Sequence, residues 1–250
     1  MSYSTSSLPF AKEDCGSCPI RFRAVCSRSN EQELAILEKM KTYKTYGAGQ
    51  TLVWAGDEMQ FIGSVVVGVA ALSKTMEDGR RQMVGLLLPS DFVGRPGRDL
   101  APYDIVAITD VTLCRFQKGP FEKLMQNSAS VGPRLLEMTL DELDAAREWM
   151  LLLGRKTARE KIASLLAIFA KRDSHLKYRH NTGAVAFDLP LSRESMADYL
   201  GLTLETASRQ MSALKREGVI KLQGKRHITV PDLARLLNET GDDADGGLPA

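Results

Sequence analysis

The sequence is poor in the residues that most enzymes are built around. It has four cysteines and three histidines in 250 residues. It shows no Gly-rich phosphate loop, no Walker pattern, no His-Glu-x-x-His and no Ser/His/Asp set in recognisable context. The histidines, His175, His180 and His227, all fall in the C-terminal third, far from the cysteines. An enzyme is therefore not the expected class. Net charge is also scarce: at +2 it makes no bulk argument for a nucleic-acid partner. No long apolar run is present. The longest nearly apolar stretch, Phe61 to Leu72, is interrupted by Gly and Ser and is too short to span a bilayer. The first fourteen residues lack a basic segment followed by an apolar one, so no signal peptide is expected. There is no internal repeat. The expected location is cytoplasmic, without membrane contact, where clustered cysteines point to metal or redox chemistry rather than to disulfides.

What is present is unevenly placed. Three cysteines, Cys15, Cys18 and Cys26, fall within twelve residues, and Cys114 follows 88 residues later. Thiolates are soft ligands for iron–sulfur clusters and for zinc, so this set is a candidate metal site. Pro19 discourages a regular helix after Cys18 and suits a loop around an inorganic centre. Arg21, Arg23 and Arg28 flank the loop and would favour thiolates. Positive charge gathers towards the other end. Arg155–His180 has eight Lys/Arg against two acids, Leu189–Asn238 has eight against five, and an acidic tail starts at Glu239.

The periodicity changes along the chain. Asn30 to Lys41 reads as a short capped amphipathic helix. From Lys44 to Phe116, short β-type runs lie between Gly, Asp and Pro, and Asp78-Gly79 marks a hairpin. That spacing predicts a small antiparallel barrel or jelly roll, with Cys114 on its last strand. Phe121 to Leu166 turns helical. Leu136, Leu140, Leu143 and Met150 recur at 4-3-7 spacing, as in a heptad seam with Arg147 in the missing place. Such a seam predicts a homodimer joined through a long helix. A second amphipathic helix over 155–170 and a polar link follow.

Ser192 to Lys215 then reads as two short helices around Gly201. Ala207, Met211 and Leu214 of the second helix face inwards, which leaves Glu205, Ser208, Arg209 and Ser212 outside. That is the pattern of a helix-turn-helix whose second helix enters the major groove of double-stranded DNA. Arg can donate twice to guanine, Glu can accept from cytosine, and Ser pairs with several base edges. Glu205 and Arg209, one turn apart, would otherwise form a surface ion pair. Val219–Val230, carrying Lys221, Lys225, Arg226 and His227, reads as a basic two-stranded wing, and Pro231 opens a last short helix.

With these motifs in place, the chain over about residues 15–235 resembles the CRP/FNR superfamily of transcription regulators. Glu205-x-x-Ser208-Arg209 matches the E-x-x-S-R pattern of the FNR branch, and the cysteines match that branch in its α-proteobacterial form. The resemblance implies an α+β fold: a cysteine-rich segment (1–29), a β-roll sensor domain (30–127), a dimerisation helix (128–154), a winged helix-turn-helix (155–238) and an acidic tail (239–250). It also implies an oxygen-labile 4Fe-4S cluster on Cys15, Cys18, Cys26 and Cys114, with Glu205, Ser208 and Arg209 reading inverted TTGAT-type half-sites. RNA polymerase is a further implied partner, and the Glu77-Asp78-Gly79 hairpin is a candidate surface for it.

Two features depart from the pattern. The cysteine spacing is C-x2-C-x7-C, where the best-known enteric pattern has five residues in the second gap. Where the CRP branch has a Gly-Glu turn with a later Arg for the nucleotide, this chain has Gly94-Arg95-Pro96-Gly97-Arg98, so no cyclic nucleotide is expected. Arg95 and Arg98 are expected either to be vestigial or to hold nearby acids. The residues alone leave two alternatives to the cluster: an all-thiolate structural zinc and a thiol–disulfide switch.

Overall fold

The computed structural model describes residues 14–79, 81–176, 184–224 and 226–242. Lys225 of the expected wing, His180, the lead-in and most of the acidic tail lie outside them. The chain forms two compact units that divide between Leu140 and Asp141, except that the short stretch 80–82 at the start of the fifth strand groups with the second.

The first unit opens with the cysteine loop and α1 (Glu31–Met40). Asn30 caps α1 by accepting from the Glu33 N–H, and the Glu33 carboxylate accepts from the Asn30 N–H in return, a reciprocal capping box. Eight strands follow: β1 (Thr42–Tyr46), β2 (Thr51–Val53), β3 (Phe61–Val67), β4 (Ala70–Thr75), β5 (Arg81–Leu87), β6 (Phe92–Val93), β7 (Asp104–Ala107) and β8 (Val111–Gln117). They make two four-stranded sheets, ordered β1-β8-β3-β6 and β2-β7-β4-β5. This is the expected roll. Its core is apolar, with Phe61, Val65, Leu113 and Ile105 at the centre.

Two details depart from the periodicity. The run Phe61–Ser73 is two strands rather than one, and they belong to different sheets. The chain crosses between the sheets at Gly68, whose φ is +89° and where a side chain would collide with the Asp110 carbonyl. The helical stretch after β8 is also broken. α2 (Lys118–Asn127) ends at Ser128, and α3 (Val131–Arg155) starts afresh, with Ser128 Oγ accepting from the Val131 N–H at 3.0 Å. The stop falls in the polar run Gln126-Asn127-Ser128-Ala129-Ser130.

The second unit takes the rest of α3 and continues with α4 (Ala158–Leu176), β9 (Val185–Asp188), α5 (Arg193–Leu200), α6 (Leu204–Arg216), β10 (Lys221–Gln223), β11 (His227–Val230) and α7 (Leu233–Asn238). The three strands form one small sheet, β10-β11-β9. Trp149 of α3 stacks on Tyr199 of α5 with ring centroids 4.0 Å apart. The acidic stretch from Glu239 is not all tail. Arg159 Nε donates to Glu239 at 2.6 Å, and Lys156 pairs with Asp242, so these acids are fastened to the start of α4. No helix among the described residues is long and apolar enough to cross a membrane.

Candidate functional site

The cysteine loop is a chain of turns. Arg21 N–H bonds Cys18 O, Ala24 N–H bonds Ile20 O, and Ser27 N–H bonds Ala24 O, each close to 2.9 Å. Ile20, Ala24 and Val25 are buried. The seven-residue gap to Cys26 is therefore a packed turn, whose apolar side chains are carried down onto the roll.

The loop docks on the outer face of the sheet that contains β8. Ile20 and Ala24 pack against Val66 of β3, with Cys18, Cys26, Tyr43 and Cys114 around them. Cys114 lies on β8 directly opposite Tyr43 of β1 on one side and Ser64 of β3 on the other. All four cysteines are free thiols and partly buried. Burial pushes the Cys114 thiol up to about 12, and repulsion from Cys18, Cys26 and Cys15 adds to it. Burial likewise raises Cys26 to about 11, against the pull of Arg21. Lys41 Nζ lies 3.5 Å from Cys15 Sγ.

So the expected ligands are brought to one face, close enough for each to feel the others' charge. Among the described residues no group of three His, Cys, Asp or Glu is arranged to hold a single metal ion. Arg21 draws Cys26 towards its thiolate, as expected, and the arginines have structural partners as well. Arg21 donates to the carbonyls of Cys26 (2.5 Å) and Ser29 (3.2 Å), which braces the loop. Arg28 pairs with Glu137 at 2.6 Å.

That last contact belongs to a wider seam, which sequence reasoning missed. Arg134 of α3 donates to the Arg23 carbonyl at 2.7 Å and pairs with Glu137 at 2.6 Å. Ser130 Oγ donates to Glu33 at 2.6 Å, and Ser128 Oγ bonds the other oxygen of the same carboxylate. These two hydroxyls hold the Glu33 carboxyl below its usual range. The start of α3 is thus bonded to Arg23 and Arg28 of the cysteine segment and, through Ser130, to Glu33 of α1. Further along α3, the expected seam residues are exposed: Leu136 by 61%, Leu140 by 52%, Leu143 by 45% and Met150 by 74%.

In the second unit the helix-turn-helix forms as its residues direct. Ser192 caps α5 and Gly201 ends it in the left-handed conformation, so the Leu202 N–H reaches the Ala197 carbonyl. Thr203 caps α6 by accepting from the Thr206 N–H at 3.1 Å. Ala207, Met211 and Leu214 are buried. Glu205 and Arg209 are exposed and Ser208 is partly so. Among the described residues Glu205 and Arg209 form no ion pair with each other, so both are open to a ligand. Lys221 and Arg226 are exposed on the wing, and His227 pairs with Asp188 at 2.8 Å.

The loop Gly94–Arg98 carries no acid of its own and is held by one from α2. Glu122 accepts from the Gly97 N–H at 2.8 Å. Just after this loop, Lys118 pairs with Asp99 at 2.7 Å and also donates to the Arg98 carbonyl at 2.7 Å. The hairpin turn at Glu77-Asp78-Gly79 forms as expected, with Gly79 at φ +85°.

Comparison with known proteins matches residues 160–239 to a Crp-like helix-turn-helix domain and residues 43–128 to a cyclic nucleotide-binding domain. The chain is 68% identical over 242 residues to the transcriptional activator protein FnrL of Cereibacter sphaeroides, covering 97% of this chain and 98% of that protein. It is 38% identical over 208 residues to the nitrogen fixation regulation protein FixK of Bradyrhizobium diazoefficiens, covering 83% and 86%. Among solved structures it resembles FixK2 from Bradyrhizobium japonicum, with a TM-score of 0.72 at 32% identity, covering 82% of this chain and 99% of that one.

Proposed function

This chain belongs to the CRP/FNR superfamily as a transcriptional activator of the FnrL/FixK type, and from that premise we propose that it senses oxygen through a 4Fe-4S cluster held by Cys15, Cys18, Cys26 and Cys114. The observation that carries the reading is the gathering of the only four cysteines, from a loop and a strand, on one face of the roll. The donor set fits the group. It is all thiol, as such clusters take, and a cubane spreads its ligands over four irons instead of closing them around one ion. When bound, the cluster would supply an oxygen-labile tie between the loop and β8. Raised by burial, Cys26 and Cys114 would give up protons on ligation.

The chain's own residues provide the readout. Arg134, Glu137, Arg28 and Ser130 bond the loop segment to the start of α3, so a change in the loop reaches that helix directly. The exposed row Leu136, Leu140, Leu143 and Met150 would pack against its copy in a homodimer. Two α6 helices would then present Glu205, Ser208 and Arg209 to the half-sites of an inverted TTGAT-type repeat, about 34 Å apart. Loosening the pair would lower affinity without altering any base-reading residue. Cyclic nucleotide has no part in this reading, because Gly94-Arg95-Pro96-Gly97-Arg98 lacks the acidic partner that the CRP branch offers a ribose. Polymerase contact is assigned to the Glu77–Gly79 turn.

Protein purified without oxygen is expected to be brown, with about four irons and four sulfides per chain as a cubane requires, and to bleach in air with loss of DNA binding. A colourless protein with one tightly held zinc would replace the cluster by a structural metal. Oxygen-dependent binding by metal-free protein would replace it by a thiol switch.

A further inference from the structure

β3 reads Phe61-Ile62-Gly63-Ser64-Val65-Val66-Val67. Ser64 is the one hydroxyl in an otherwise apolar strand and is only 2% exposed. Its Oγ is enclosed, and among the described residues it has no hydrogen-bond partner. A buried hydroxyl without a partner is costly, and alanine or valine would suit a strand of this kind better. An orphan of this sort calls for a ligand or another reason to keep it.

Its position supplies one. Side chains alternate along a strand, and the neighbours two away, Ile62 and Val66, pack with Val25 and with Ile20 and Ala24 of the cysteine loop. Ser64 therefore faces the same side. In the sheet it stands directly opposite Cys114 on β8, with Phe92 of β6 on its other flank. Directly opposed side chains on one face are close neighbours. The hydroxyl is thus enclosed among apolar groups, beside the buried thiol of the candidate metal site.

We propose that Ser64 is a positioning residue for the cluster, its hydroxyl donating a hydrogen bond to sulfur at the Cys114 corner. This rests on the cluster reading given above and deepens it. A hydroxyl can donate to thiolate or sulfide, and such donors draw charge from the cluster and raise its potential. The row Tyr43, Cys114, Ser64, Phe92 across four strands would then fix the strand ligand and make its cluster harder to oxidise.

The test compares full-length wild type, Ser64→Ala and Ser64→Thr, purified without oxygen. Measurements are iron and sulfide per chain, resonance Raman Fe–S(Cys) frequencies in H2O and D2O, the reduction potential, and the rate of bleaching in air. Ser64→Ala should keep its iron, lose a deuterium-sensitive component of the Fe–S(Cys) stretch, shift to a more negative potential and bleach about tenfold faster. Ser64→Thr, which keeps the hydroxyl, should restore all three. A fully loaded Ser64→Ala protein with wild-type Raman shifts and bleaching overturns the proposal. In metal-free protein Ser64→Ala should unfold at no lower temperature than wild type. A clear drop there would give the hydroxyl a structural partner and also overturn it. Wild type without iron would sink the cluster reading itself, and iron analysis makes that failure distinct from the others.

Discussion

In the first unit the proposed ligands are brought to one face of the roll from places far apart in the chain. Cys26 and Cys114 are 88 residues apart, and what fixes them comes from β1, β3 and the turns of the loop. In the second unit Glu205, Ser208 and Arg209 lie within five residues on one helix, placed by the phase of that helix and the cap at Thr203. The first site depends on sheet register, so damage to the roll reaches all its ligands together. The second depends on a local periodicity, so its side chains can be exchanged one at a time. The sensing end should therefore fail as a unit, and the reading end by degrees.

The strongest test of that contrast is Cys114→Ala. It removes the proposed strand ligand, and iron content should fall with it. Affinity for an inverted repeat measured without oxygen should drop by about 10²–10⁴, the avidity lost when two half-sites are no longer held together. Retained iron and affinity would break the comparison at its base.

Next in size is Gly63→Ala. A side chain there would collide with the Cys114 carbonyl and the backbone of Arg115, which cannot swing away. Overpacking of this kind costs about 1–3 kcal/mol. The melting midpoint should fall by several degrees, about 2–4 °C per kcal/mol in a protein of this size, and iron content should fall with it. A change in stability alone would show that register and ligand placement are separable.

Arg209→Ala should sharpen the other half. Discrimination at one base pair should weaken by about 1–3 kcal/mol, while iron content and melting stay at wild type. Selection of binding sites from a random pool would show it, and an unchanged preference would move the base-reading role to another residue of α6.

The smallest expected effect is on Glu33, whose carboxylate is held low by Ser128 and Ser130. A carboxylate depressed in the folded state adds stability that is complete above its unfolded value, near 4.5, and is lost as the pH falls through its lower folded value. Glu33→Gln preserves the capping pattern but not the charge. It should cost about 1 kcal/mol at neutral pH and flatten the loss of stability below pH 4.5 in an acid titration followed by circular dichroism.

The same contrast governs what could be read in advance. α5, Gly201 and α6 carry their own caps and apolar phase, and the three outward residues follow from that. The roll was legible as a series of short strands, but the crossing at Gly68 was not, because an apolar run has no period that tells one long strand from two. The four thiols were legible as a set through their rarity. Their surroundings were not: Tyr43 and Ser64 meet Cys114 only through sheet register, and Lys41 reaches Cys15 from the end of α1. The seam of Arg134, Ser130 and Glu33 was hidden for the same reason, since each of its bonds joins residues about a hundred positions apart. Ser64 did leave one trace, a single hydroxyl in an apolar strand.

The pairs Arg159–Glu239 and Lys156–Asp242 have a practical consequence for handling this protein. They bring the chain past α7 back to the start of α4, so the DNA-reading unit closes on itself like a buckled strap. A tag or reporter joined directly after Asn238 would replace the free end of that strap. Grafts and truncations that are meant to keep this unit intact should run through Asp242, with any added sequence starting beyond it.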